Sequence, residues 1–324
     1  VTEGSVLVVR PSSLGDVVHA LALVTDVVRA RPGLAIDWVA EPAFAELPAM
    51  SPHVRSVIPF ALRSWRRAPF ARTTLEEMGA FRRELRARRY DAILDLQEQV
   101  KGGVVARIAR GVRHGFDRAS IREPVATWLH DVSHRVPRAL HFATRCRMLA
   151  AAALGYTLDG PPRWTIVPPK QGAQAPQGDY VVALHATSRT DKLWPEDRWR
   201  ALIEGFARAG LATLLPWGNE EERMRSGRLA KDIEDTVIPP RQSLRNLSAL
   251  LAGAKLAVGV DTGLTHLAAV LRTPTIALFT ETDPAGAGVA IAGEHARDLG
   301  GRGKIPTLEE TRAAAHVLLS TVPS

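Results

Sequence analysis

Short apolar runs alternate along the whole chain with longer segments whose apolar positions recur at helical spacing. That alternation predicts strands joined by helices, and hence parallel sheets. In the first half, strands are predicted near Val6–Val9, Ala35–Ala40, Val57–Phe60, Ala92–Leu96 and His114–Phe116, with an arginine-rich amphipathic helix over Thr74–Arg89. The second half restarts with a strand at Tyr180–His185 and a helix at Glu196–Ala209. Further strands are expected near Ala212–Leu215, Thr236–Ile238, Leu256–Val260 and Thr275–Phe279. Pro161–Gly178 holds five prolines and little apolar periodicity after Val167, the composition of a linker. Thr307–Leu319 opens with Thr-Leu-Glu-Glu, a capping-box pattern, and predicts a terminal helix with Ala313, His316 and Val317 on its apolar side. The pattern divides the chain into 1–167, a linker 168–178, 179–306 and a terminal helix in 307–324.

Two junctions stand out. At Val258–His266 an apolar run stops at Asp261, Thr262 and Gly263 follow, and a helical stripe of Leu264, Leu267 and Leu271 begins. A strand that turns tightly into a helix aims unpaired N–H groups and the positive dipole end outward, which suits an anion. The alternative is an aspartate N-cap on an ordinary helix. Val6–His19 repeats the arrangement: strand, polar turn with Gly15, then Val17, Leu21, Val24 and Val28 at helical spacing. Each junction opens one half, which predicts two similar α/β domains facing each other. Asp16 lies at the C-terminal edge of the first strand, where open parallel sheets bind ligands. Neither turn carries the dinucleotide-binding glycines or a P-loop ending.

The 324 residues exceed one ordinary core and fit two domains. A net charge of +8, largely from arginine, favours nucleic acid, phosphorylated glycolipid or an acidic membrane face. Aromatic residues make up only 6%, and no aromatic–basic stripe suits base stacking, which argues against nucleic acid. No apolar run is long enough for a membrane span. Arg10 and Asp16 inside the first apolar region argue against a signal peptide, so a cytoplasmic location is expected. The lone Cys146 excludes an internal disulfide and a cysteine-ligated cluster, and its apolar neighbours mark it as core packing.

After Tyr180–His185 the chain reads Ala-Thr-Ser-Arg-Thr-Asp-Lys-Leu-Trp-Pro. Thr187 and Ser188 are small donors, and Lys192 is a point charge suited to phosphate. Glu220, Glu221 and Glu222 follow another strand, as helix caps or as acceptors from a ribose. Arg63, Arg66 and Arg67 surround Trp65 and suit an acidic ligand, as do Arg118 and Arg122 in a later loop. His266 is placed one turn into the helix after Asp261; His19 reads equally as core. No metal-ligand spacing involves His114, His134 or His141, and no Asp-x-Asp pair occurs.

Taken together, Ser12–His19, Asp37–Glu41, Arg63–Arg67, His185–Pro195, Leu215–Gly218 and Asp261–His266 resemble the heptosyltransferases that build the inner core of bacterial lipopolysaccharide. The His-Ala-Thr-Ser…Lys-x-Trp-Pro segment is most similar to those acting first in that series. The resemblance covers nearly the whole chain. It implies a GT-B fold, α/β, with two Rossmann-like domains and parallel sheets facing across a cleft. It also implies a terminal helix that packs back on the N-terminal domain. The N-terminal domain would take the acceptor, the Kdo sugar of Kdo-lipid A at the inner leaflet. The C-terminal domain would take the donor, ADP-heptose. The enzyme would be an inverting glycosyltransferase with no cofactor and no metal, peripherally associated with the inner membrane and without a nucleic-acid partner.

By the same resemblance, Asp16 is the catalytic base and Lys192, with Thr187 and Ser188, meets the donor phosphates. Asp261, Thr262, Gly263 and His266 form the donor turn, and Glu220 or Glu222 contacts the ribose. Ser13, Gly15, Arg63, Arg66, Arg67 and Arg122 belong to the acceptor side. Burial is expected to raise the pKa of Asp16. Two positions depart from the pattern: Ala22 replaces a proline, and Gln97-Glu98 replaces Gln-Gly after the fourth strand. The alternatives are a related transferase with another nucleotide sugar or a later acceptor, and a non-catalytic anion-binding protein. A dehydrogenase is disfavoured by the missing glycine fingerprints.

Overall fold

The structure is a computed structural model that describes residues 4–170 and 175–321. Positions 171–174 of the expected linker therefore lie outside the described residues. The described strands of the first half are β1 (Ser5–Val9), β2 (Ala35–Ala40), β3 (Val54–Pro59), β4 (Arg89–Asp95), β5 (Arg110–Phe116) and β6 (Val132–His134). The second half holds β7 (Tyr180–Leu184), β8 (Ala212–Leu214), β9 (Thr236–Val237), β10 (Leu256–Val260), β11 (Thr275–Phe279) and β12 (Ala296–Gly300). They build two six-stranded sheets in the orders β3-β2-β1-β4-β5-β6 and β12-β11-β10-β7-β8-β9. Every strand pairing within the sheets is parallel. The order reverses between β1 and β4, and again between β7 and β10. In an open parallel sheet the crevice beyond the strands' C-terminal ends at such a reversal is the ligand site.

The chain divides into two compact units, 1–167 and 168–324. In the first, β1 is buried at every position because helices cover both sheet faces, so it reads as an unbroken apolar run. Leu7, Val9, Val39, Ile58 and Ile93 form the core. Phe60, Trp65 and Phe81 extend it as an aromatic cluster with centroids 5.2–5.6 Å apart, clamping helix Arg72–Ala87. That helix ends two residues earlier than the periodicity predicts, because Arg89 already belongs to β4. Ala22 opens helix Ala22–Ala30 fully buried, at a position where proline is also tolerated, so this departure concerns packing alone. Residues 161–167, read as the start of a linker, are docked on the first unit. Trp164 Nε1 donates to the Val18 carbonyl at 2.8 Å and Val167 N–H to that of Met50 at 2.9 Å.

In the second unit Trp194 and Trp199 meet edge to face at 5.2 Å inside a core shared with Val181, Val258, Ile276 and Leu278. Pro195 occupies the N-cap position of helix Glu196–Arg208. The terminal helix, Leu308–Ser320, has the expected capping box between Thr307 and Glu310. Its packing corrects two expectations. Thr311, Ala315 and Leu318 face inward, whereas Ala313, His316 and Val317 are exposed. Ala315 and Leu318 join the second unit's core, and Arg312 donates to the Ala201 carbonyl at 2.7 Å. The helix therefore covers the sheet of its own half rather than the N-terminal one. A threonine can sit in the stripe because Thr311 Oγ1 donates to the Thr307 carbonyl, 2.8 Å away.

Candidate functional site

The first candidate site forms where β1 ends. Ser13 caps helix Leu14–Ala20, and its N–H and hydroxyl both donate to Asp16 Oδ2, at 3.0 and 2.8 Å. The same oxygen meets the Arg10 guanidinium at 2.6 Å. Arg10 is buried. It also donates to the Leu96 carbonyl and lies 4.6 Å over the Phe142 ring, so its charge is fixed in place. The Asp16 side chain remains 37% exposed, open to a ligand. Burial raises the Asp16 pKa, but Arg10 and the Ser13 hydrogen bonds outweigh it and hold the carboxyl below its ordinary value. Burial thus acts in the expected direction, and a cation six residues upstream reverses the net sign. Cys146, wholly buried nearby, has its thiol pKa pushed up by burial, in keeping with a packing role.

Around Asp16 the sheet edge is basic. Lys101 Nζ donates to Ser12 Oγ at 3.2 Å. Burial lowers its pKa, Glu41 opposes that, and Arg10, Arg63 and Arg66 lower it further, which places all of these charges in one neighbourhood. Arg63 pairs with Glu41 at 2.8 Å. Arg66, Arg67 and Arg122 are exposed, and Glu123, beside Arg122, accepts from the Val100 N–H at 2.8 Å. Gly102 is required where helix Val100–Ile108 meets the end of β4, since a Cβ there would lie 2.4 Å from Asp95 Oδ1. Glu98 adopts φ = 61°, a conformation that favours glycine. Its carboxylate pairs with the buried Arg145, which also donates to the Ser120 carbonyl at 2.7 Å. A buried ion pair thus accompanies a side chain held in a backbone conformation that favours glycine.

The second candidate site forms where β7 and β10 end. Lys192 Nζ and Thr282 Oγ1 both reach Asp261 Oδ2 at 2.6 Å, and His266 Nε2 lies 3.3 Å from Oδ1. Burial raises the Asp261 pKa, but hydrogen bonds from His266, Lys192 and Thr282 and the charge of His266 dominate and hold it well below the usual range. Thr187 Oγ1 donates to the Asp261 carbonyl at 3.3 Å. Asp261 does not cap the following helix; Thr262 is the N-cap of Gly263–Val270. The first N–H groups of that helix head it without intrahelical acceptors.

Thr187, Ser188 and Thr190 line a cavity with Asn219, Glu221 and Glu222. Of the two glutamates left open by the sequence, Glu222 belongs to it. Its carboxylate accepts from Gly218 N–H at 2.7 Å and Asn219 Nδ2 at 2.9 Å. Glu220 turns to Arg223 in an exposed pair, 2.6 Å apart. His185 is buried, and its Nε2 lies 2.8 Å from Ser226 Oγ, which fastens the cavity loop to helix Glu220–Ala230. Burial, then the nearby Arg225, lowers its pKa to about 4.

The structure thus gathers Ser13 and Asp16 at one sheet edge, and Thr187, Ser188, Lys192, Glu222, Asp261, Thr262, Gly263 and His266 at the other. Gly15 sits in the Asp16 helix, within its first turn. Arg10, Lys101, Thr282 and Asn219 were not singled out from the sequence. Arg10 carried a legible signal, an arginine directly after a buried strand; the others are brought in only by tertiary packing. Among the described residues no group of three or more His, Cys, Asp or Glu side chains is arranged to hold a metal ion.

Comparison with known proteins places the chain in a family. Residues 78–317 match the model of glycosyltransferase family 9 (heptosyltransferase). Lipopolysaccharide heptosyltransferase 1 of Escherichia coli (strain K12) is 42% identical over 291 residues, covering 86% of this chain and 88% of that protein. The structure of E. coli heptosyltransferase WaaC with ADP superposes with a TM-score of 0.89 at 37% identity, covering 97% of this chain and 99% of that one. WaaC with ADP-2-deoxy-2-fluoro heptose superposes with a TM-score of 0.85 at the same identity and coverage.

Proposed function

The chain belongs to glycosyltransferase family 9, the heptosyltransferases, and from that membership we propose that it transfers heptose from ADP-heptose to the Kdo sugar of Kdo-lipid A, with inversion and without a metal ion. The observation that carries the donor assignment is the cluster at the second sheet's reversal. There Lys192, the Thr187–Ser188 loop and the helix start at Thr262–Gly263 gather around Asp261. A diphosphate leaving with extra negative charge is met there by an ammonium, two hydroxyls and backbone N–H groups. Donors already in place when charge develops contribute roughly 3–4 kcal/mol each. Asp261, itself held by Thr282 and His266, fixes the Lys192 amine and leaves two of its three N–H bonds for phosphate. Glu222 is the ribose acceptor in this reading.

On the acceptor side, Asp16 takes the proton of the attacking hydroxyl. A carboxylate held below its ordinary pKa is a weak base, which favours a late proton transfer. As the hydroxyl oxygen bonds to an oxocarbenium-like carbon its proton becomes strongly acidic, and a weak base then suffices. Ser13 and Arg10 aim the carboxylate. Lys101 joins Arg63, Arg66, Arg67 and Arg122 as cations for an acidic, lipid-borne acceptor, consistent with an enzyme working at the inner membrane face.

Donor binding tests the assignment directly. Calorimetric titration with ADP-heptose should give a measurable Kd that UDP-sugars barely affect, and Lys192→Ala should weaken it roughly 10- to 100-fold. UDP-sugars that compete on equal terms would instead make this a relative with a different donor.

A further inference from the structure

The edge of the first sheet that holds Asp16 also carries large apolar side chains that the fold leaves in water. Phe70 is 91% exposed and Trp128 is 77% exposed. Phe70 stands at the end of a run of five consecutive exposed residues, 66–70, in the segment that follows β3. Trp128 lies in the segment after β5, within the 3₁₀ turn Pro124–Leu129, with exposed Val125 beside it and Val100 on the adjoining helix. The strand order sets β3 and β5 on opposite sides of the β1–β4 reversal, four strand steps apart. At about 4.8 Å per step the two strand ends lie roughly 19 Å apart, with the Asp16 turn between them.

The loop bearing Phe70 has a fixed base. Trp65 is buried in the aromatic cluster, and its Nε1 donates to Glu77 Oε2 at 2.8 Å. Phe70 is therefore presented outward by a packed support. Its surroundings are cationic. Arg66 and Arg67 are exposed and, among the described residues, make no ion pair, while Arg63 and Arg72 keep exposed guanidinium groups in single pairs with Glu41 and Glu76. Arg122 repeats the arrangement beside Val125. Exposed aromatic side chains in segments that also carry exposed arginines suit an interface that is apolar just beneath an anionic surface.

We propose that this edge is a membrane-docking surface: Phe70 and Trp128 enter the headgroup region of an anionic bilayer, and the flanking arginines pair with lipid phosphates. The inference rests on the reading that the acceptor is lipid-borne, and it explains how Asp16 would be held at the height of a sugar on the membrane. Among the described residues no helix is long and apolar enough to cross a membrane, so this attachment is a surface one.

Vesicle flotation with the full chain, in the absence of donor and acceptor, tests it. Wild type should float with vesicles containing phosphatidylglycerol, far less with pure phosphatidylcholine, and release as salt rises. The double variant Phe70→Ser, Trp128→Ser should bind at least roughly tenfold more weakly. Its kcat/KM on a soluble, delipidated acceptor should match wild type. Equal flotation of the double variant, or no preference for anionic vesicles, overturns the proposal. So does a wild-type dimer in sedimentation that the variant splits without any vesicle binding, which would assign the face to a second copy. Flotation needs no turnover, so its failure is separable from failure of the transferase reading.

Discussion

At the scale of single residues, Asp16 is governed by its neighbour. Arg10 sits six positions away in sequence, and only the turn at Ser13 brings the two charges to 2.6 Å. Sequence spacing made Asp16 visible as a carboxylate at a strand end, but not the cation that lowers its pKa. Glu98 is a second case: its departure from glycine was visible, while its partner Arg145, on a distant helix, was not. The pH consequence follows from the sign. Because the folded Asp16 pKa lies below its ordinary value, the carboxylate stays ionised into the acid range, and if it is the proposed base the acid limb of kcat/KM should fall below pH about 4. Arg10→Met removes the opposing cation and leaves the burial that raises the pKa, so the acid limb should move to higher pH. Arg10→Lys should largely keep it in place. An unmoved limb in a folded Arg10→Met protein would detach Asp16 from the titration.

At the scale of elements, buried strands were the easiest to read. β1, β2, β7, β10 and β11 are mostly apolar because both sheet faces are covered, and their limits match the pattern to within one residue. The edge strands β6 and β12 escaped: Val-Ser-His and Ala-Arg-Asp-Leu-Gly carry the polar residues that an exposed edge requires. The terminal helix was found by its capping box, but its buried face was misread because a hydroxyl satisfied within its own turn can lie inward. His185 shows how one side chain joins elements, tying the end of β7 to helix Glu220–Ala230. Ser226 Oγ donates to the Glu222 carbonyl at 3.1 Å, so the imidazole Nε2–H donates to Ser226, and among the described residues no side chain pairs with its buried Nδ1. Protonation would place a buried cation beside Arg225. With a folded pKa of about 4, below that of a free imidazole, the His185 contribution is complete above pH ~6.5 and is lost as pH falls toward 4. The loss amounts to roughly 3 kcal/mol. Urea unfolding across that range should show it, and His185→Asn, which keeps a donor for Ser226, should flatten the dependence.

At the scale of the molecule, two sheets of the same topology each place their candidate residues at the reversal of strand order. This much was legible from two strand–turn–helix junctions, since a parallel sheet leaves its ligand groups at strand ends. The pairing of Lys192 with Asp261 and the choice of Glu222 over Glu220 were not, because loops from different strands meet only in the folded unit. In the proposed reaction a hydroxyl deprotonated at Asp16 attacks a heptose whose diphosphate leaves toward Lys192. ADP release from ADP-heptose, measured in EDTA with and without a soluble Kdo-bearing acceptor, tests it most directly. Release should depend on acceptor, survive chelation, and fall at least about a hundredfold in Asp16→Ala. Release that proceeds equally without acceptor, or an Asp16→Ala protein as active as wild type, would contradict it.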